Sequence, residues 1–223
     1  MKKLLVLLAF SLLSLGVASA STFSCSITGA GTGGEVLAGT VVTCGSLTFD
    51  NFEVLNPTGG ATGIVDLIGA GACTEAGALN QACLEFNPNL QSNQDEELAF
   101  QVWGGIDQID MSVGGQGASI TELACSSPIP TSGTDTGECP TGSLLGEITV
   151  SSNENATVCN APECTSIAPT NPVYIFKDIN VQSGGLSEFT QSFDPTAPEP
   201  VSMVLLGSGL LGLGLLRRRS RKN

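Results

Sequence analysis

Apolar side chains recur at every second residue along much of this 223-residue chain. In ELAFQVW, Leu98, Phe100 and Val102 fall on one side of an extended backbone, while Glu97, Ala99 and Gln101 fall on the other. In IDMSV, Ile109, Met111 and Val113 alternate with Asp110 and Ser112. A period of two belongs to a strand with one buried face, because successive Cβ atoms point to opposite sides of a sheet. The two runs meet at Gly104-Gly105, which predicts a hairpin. SEFTQSF repeats the rhythm with Phe189 and Phe193, and VYIFKDINV, ASITELA, LLGEITV, ACLEF and IVDLI add short segments of similar kind. LTFDNFEV changes parity between Phe49 and Phe52, as a bulge at Asp50-Asn51 requires. The best helical candidate is a short stretch around Glu75–Cys83.

Turn-forming links such as GAGTGG, NPTGGATG and SSPIPTSGTDTG separate the segments. Many short strands between such links predict an all-β fold, an antiparallel β-sandwich of jelly-roll type. The strand-turn units vary too much to form a countable repeat.

The cysteines add staples. All eight lie between residues 21 and 198: Cys25, Cys44, Cys73, Cys83, Cys125, Cys139, Cys159 and Cys164. Without histidine or a C-x2-C spacing, zinc is a poor explanation, and disulfides in an oxidising compartment are a good one. Sequential pairing, Cys25–Cys44, Cys73–Cys83, Cys125–Cys139 and Cys159–Cys164, closes one Gly- or Ser/Thr-rich excursion per bridge.

Both ends carry processing signals. Lys2 and Lys3 precede an apolar stretch that ends in Ala18-Ser19-Ala20, so residues 1–20 read as a signal peptide cleaved after Ala20. At the far end, Val201–Leu216 is uncharged, and a helix of that length spans roughly 24 Å against a ~30 Å hydrocarbon core. Pro198-Glu199-Pro200 stands before it, and Arg217, Arg218, Arg219, Arg221 and Lys222 follow. Basic residues held in the cytoplasm leave the rest outside.

That three-part tail, residues 198–223, resembles the PEP-CTERM sorting domain. The resemblance implies transient membrane insertion of a C-terminal hydrophobic helix and recognition by an exosortase. Cleavage near Pro198-Glu199-Pro200 then leads from an inner-membrane-tethered intermediate to the cell surface, outer envelope or medium. An ordinary single-span anchor is the rival reading. CGSLTFDNFEV and VYIFKDINVQSGGLSEFTQSF look like the body of such proteins from Acidobacteria-type genomes, a group with no assigned activity. Residues 21–193 are then the β-sandwich domain and 194–197 a linker.

Between the two signals one lysine, Lys177, faces twenty carboxylates, a formal charge of −19. Such a surface excludes nucleic acid as a partner, since phosphate binding needs a basic face. Without histidine, Ser-His-Asp and Cys-His catalysis are excluded. No phosphate-binding glycine loop is present, and no cofactor is expected. A Ser-Lys dyad has only Lys177 to draw on, which reads as a solvated strand residue beside Asp178. Glycosidase chemistry needs two carboxylates about 5 to 10 Å apart. Asp107 with Asp110, or Asp95, Glu96 and Glu97, are the candidates. The same groups, with Asn93, are the candidate oxygen ligands for a divalent cation, but they match no EF-hand loop and an acidic solvated turn is the simpler account of them. Trp103 and Tyr174 sit in strand-like runs and are expected in the core rather than as sugar platforms.

The expected function is therefore display: an exported structural or interaction protein of the cell surface or exopolysaccharide matrix. A calcium- or polysaccharide-binding adhesin-like module is the alternative, and a secreted hydrolase comes third.

Overall fold

A computed structural model describes residues 24–73, 81–130, 137–152 and 164–195. Within them thirteen strands, numbered in chain order, form two sheets. The first sheet runs β1 (Cys25–Thr28), β2 (Val41–Cys44), β3 (Leu47–Thr58), β7 (Gln94–Trp103), β12 (Val173–Leu186), β9 (Gln116–Cys125) and β10 (Leu144–Ser151). A two-residue β6 (Leu90–Gln91) pairs with the far end of β12. The second sheet runs β11 (Cys164–Thr170), β8 (Ile106–Val113), β13 (Phe189–Pro195), β5 (Ala82–Asn87) and β4 (Asp66–Ala72). Every pairing between these strands is antiparallel. The molecule is a disulfide-stapled antiparallel β-sandwich.

Alternation decides which side of each strand is inside. Leu98, Phe100 and Val102 are buried on β7, as are Ile109, Met111 and Val113 on β8. Six phenylalanines close the gap between the sheets, Phe49, Phe52 and Phe100 from the first and Phe86, Phe189 and Phe193 from the second. Phe49 meets Phe193 with ring centroids 4.9 Å apart, and Phe86 stacks on Phe189 at 5.1 Å. Phe52 stacks on Phe100 at 5.2 Å within its own sheet. Each buried ring contributes roughly 2–3 kcal/mol of transfer free energy. Phe49 and Phe52 both reach the core because the register of β3 against β7 shifts between Asp50 and Glu53, with Asn51 at φ 54°.

The expected hairpin at Gly104-Gly105 does not form. β7 lies between β3 and β12, so both of its edges are taken, and the chain passes instead to β8 in the opposite sheet. Gly104 makes this crossing at φ 107°, where an added Cβ would stand 2.2 Å from the Ser46 carbonyl oxygen. The helix expected around Glu75–Cys83 is also corrected at its C-terminal end, since Ala82 and Cys83 open β5. Residues 74–80 lie outside the described residues.

Three disulfides, Cys25–Cys44, Cys73–Cys83 and Cys125–Cys139, each tie the two ends of a connection between antiparallel neighbours. Cys25 and Cys44 sit opposite each other in the ladder of β1 and β2. The third bridge pins the β9–β10 connection over the first sheet's outer face, where Gly137 packs against the ring of Phe176. Closing loops of 19, 10 and 14 residues removes unfolded-state entropy worth about 3 kcal/mol each on the loop-closure account. Cys159 lies outside the described residues, and the fourth expected pair with it.

Candidate functional site

The centre of the sandwich is polar. Along β12, Val173, Ile175, Ile179 and Val181 point into the core, and Lys177 shares their parity. Along β9 the inward series is Ala118, Ile120, Glu122 and Ala124. Along β13 it is Phe189, Gln191 and Phe193. Lys177 and Glu122 are register partners on neighbouring strands of the first sheet. Gln191 reaches them from the middle of the second sheet, where β13 lies between β8 and β5.

All three side chains are fully buried. Lys177 Nζ donates to Glu122 Oε2 at 2.5 Å and to Gln191 Oε1. Gln191 Nε2 donates to Glu122 Oε1 at 3.1 Å, which closes the triangle. Met111 Sδ also lies 3.6 Å from Nζ, and the centroid of the Phe189 ring is 5.5 Å away. Burial pushes the Lys177 ammonium down from its ordinary pKa, against the attraction of Glu122. Burial likewise pushes Glu122 up, opposed by Lys177 and by its hydrogen bonds to Lys177 and Gln191. Both shifts favour an uncharged amine beside an uncharged acid.

Lys177 is therefore not the solvated residue paired with Asp178 that the sequence suggested. Asp178 is exposed on the opposite face of β12, because adjacent strand residues point apart. The signal for the missed centre was parity: Lys177, Glu122 and Gln191 each occupy an inward position within an apolar series.

The carboxylates of Asp95, Glu96 and Glu97 do not converge, for the same reason. Asp95 and Glu97 share the outer face with Asp178, and Asn56 Nδ2 donates to Glu97 Oε2 at 2.7 Å. Glu96 points inward and is fully buried, and neither of its oxygens has a hydrogen-bond partner. Burial raises it from 4.5 to about 7; the Gly63 amide opposes that shift, and Asp95 adds to it. Asp95 rises from 3.8 to about 6, through burial first and then through Asp178. On β8, Asp107 helps burial to raise Asp194, while Asp110 sits opposite Ser192 in the ladder. Among the described residues no three of Asp, Glu, Cys and His gather to hold a metal ion.

Trp103 is a second correction. It is 39% exposed at the end of β7 rather than in the core, and its indole N–H donates to Asp50 Oδ1 at 3.1 Å. Thr48 and Asp50 of β3, Gln101 of β7 and Tyr174 of β12 are its neighbours in register on the same face. Tyr174, also expected in the core, is half-buried on this same outer face, and parity was the available signal: Trp103 continues the outward series of Glu97, Ala99 and Gln101, and Tyr174 pairs with Gln101.

The signal residues Ala18 and Ala20, the motif Pro198-Glu199-Pro200, and the basic cluster Arg217, Arg218, Arg219, Arg221 and Lys222 lie outside the described residues. So does the expected hydrophobic helix. Among the described residues no helix is long and apolar enough to cross a membrane. β13 continues through Pro195, two residues into the stretch expected as linker.

No family model matches the chain, and no curated protein matches it. Among solved structures it is similar to a family 6 carbohydrate-binding module, at 14% identity and TM-score 0.29, over 65% of this chain and 95% of that one. It is similar also to TmCBM61, solved in complex with β-1,4-galactotriose, at 13% identity and TM-score 0.28, over 65% and 84%. Likeness at this level carries no argument about what the chain binds.

Proposed function

We propose that this protein is an exported structural or interaction protein, displayed at the cell surface or in an exopolysaccharide matrix. Signal peptidase removes residues 1–20, and an exosortase recognises Pro198-Glu199-Pro200 and the segment after it. The observation that carries the reading is the set of three disulfides closing turns of the described body, a construction suited to an oxidising compartment. Burial of Lys177 supports it, because the one basic side chain of the exported body is removed from the surface. What remains outside is carboxylate and neutral, which keeps the body soluble and disfavours anionic partners.

The test is the intact mass of the protein recovered from the envelope and from the medium of its host. A chain beginning at Ser21 and ending near Pro198–Pro200 is expected. A chain running through Asn223 in the membrane fraction would replace sorting with permanent anchoring.

A second reading, binding of matrix polysaccharide, is favoured by Trp103. Its indole is held by Asp50 and presents an exposed face beside Gln101, Thr48 and Tyr174. An aromatic surface ringed by hydrogen-bonding groups suits a neutral sugar ring.

A further inference from the structure

We propose that Lys177 and Gln191 become joined by an intramolecular isopeptide bond, Nζ to Cδ, with Glu122 as the proton shuttle, so that the two sheets are covalently linked through their interiors.

The geometry supplies each part of such a reaction. The nucleophile is the Lys177 amine, which touches the carbonyl end of the Gln191 amide. The leaving group is the amide nitrogen of Gln191, which touches Glu122 Oε1 at 3.1 Å. The other oxygen of the same carboxyl group, Oε2, is 2.5 Å from Nζ. One residue therefore contacts both the nitrogen that must lose a proton and the nitrogen that must gain one, as general acid–base catalysis requires. Holding amine and amide in contact inside a fold replaces a bimolecular encounter with a unimolecular step.

The atoms balance without a cofactor or an oxidant. Lys177 passes a proton to Glu122, leaving a neutral amine and a neutral acid. The amine lone pair attacks Cδ of Gln191, and the Nζ–Cδ bond forms. Glu122 takes the second Nζ proton as it delivers its own to Nε2. The Cδ–Nε2 bond breaks, and ammonia leaves. The product is a secondary amide, with Glu122 restored to the state it held after the first transfer.

The surroundings fit this step in two ways. Met111 and Phe189 border Nζ, and Lys177, Glu122 and Gln191 have no solvent-exposed surface. Water, the competing nucleophile, is thereby kept out. Burial also drives Lys177 and Glu122 toward their neutral forms, the forms that react. An unreacted ammonium–carboxylate pair in this core carries a desolvation penalty that its mutual attraction offsets poorly. Converting Lys177 to an amide removes that buried charge for good.

The link would tie β12, central in the first sheet, to β13, central in the second. β13 is also the last strand among the described residues, so, on the proposed reading of a protein tethered through its C-terminal segment, the bond would anchor the element through which it is pulled.

The test is the mass of the protein recovered from its host, with its chain ends identified, read after disulfide reduction and again after digestion. The folded wild type is expected to be lighter by about 17 Da, one ammonia, with a branched peptide joining the Lys177 and Gln191 segments. Lys177→Met and Glu122→Gln are expected to restore the full mass. A wild type with its disulfides formed and its full mass would overturn the proposal, whether or not the variants fold. So would a gain of about 1 Da at Gln191, since water rather than Lys177 would then be the acceptor. Loss of ammonia that persists in a folded Glu122→Gln variant would remove Glu122 from its role.

Discussion

Lys177 Nζ stands 2.5 Å from Glu122 Oε2, and neither side chain reaches solvent. The one basic residue of an otherwise acidic body is thus spent in its core, where Gln191 completes the contact from the opposite sheet. Removing a single member strands the others. Lys177→Ala leaves Glu122 and Gln191 buried with a cavity, and the expected loss is about 3–5 kcal/mol in denaturant unfolding. A Lys177→Met/Glu122→Met double variant is expected to recover a large part of it, because both members of the bonded pair are replaced together and neither is left without the other. Equal losses in the single and double variants would show that the stranded partner is not the source of the loss.

Stability should fall as pH rises from about 4.5 toward 7. Glu96 holds its proton up to about 7 in the fold against 4.5 ordinarily, so the folded state binds more protons across that window. Its contribution is fully present below 4.5 and is lost as pH passes through 7. Asp95, raised from 3.8 to about 6, acts in the same direction. Glu96→Gln keeps the shape without the titration and should flatten this part of the profile, with a gain on the order of 2 kcal/mol at pH 8. Thermal melts between pH 4 and pH 8 decide it; a wild-type profile that rises across the window would contradict the assignment.

Opening the Cys125–Cys139 bridge should loosen the connection that covers Phe176. A Cys125→Ser/Cys139→Ser variant is expected to lose about 3 kcal/mol. Protease cutting within residues 126–143 should quicken, since Gly137 would no longer be held on the Phe176 ring. Unchanged cutting there would place the effect of the bridge elsewhere.

Trp103→Ala should leave the fold intact, because the side chain is 39% exposed and makes no core contact of the kind Phe100 makes. If the outer face binds sugar, this change should weaken retention on the host's own exopolysaccharide at least tenfold. Retention equal to wild type would confine the protein to display.

Strand positions and inner faces were legible because a strand's side-chain period is two, and β7, β8 and β13 follow it over most of their lengths. The bulge near Asp50-Asn51 was legible for the same reason, as two phenylalanines of opposite parity both need the core. The polar centre left a trace as well: Lys177 between Ile175 and Ile179, Glu122 between Ile120 and Ala124, and Gln191 between Phe189 and Phe193. Each looks like a defect when its own strand is read alone.

Local sequence therefore determined the strand repertoire, the acidic character of the body and the expectation of stapled turns, because these depend on neighbours a few residues apart. Only the tertiary structure decided that β7 crosses to the other sheet instead of pairing with β8, since that depends on β3 and β12 already occupying its edges. It alone brought together Glu122, Lys177 and Gln191, from three strands and two sheets. A buried polar side chain is tolerated only with its partners in place. Those partners come from registers between strands distant in sequence, which the period of any single strand does not encode.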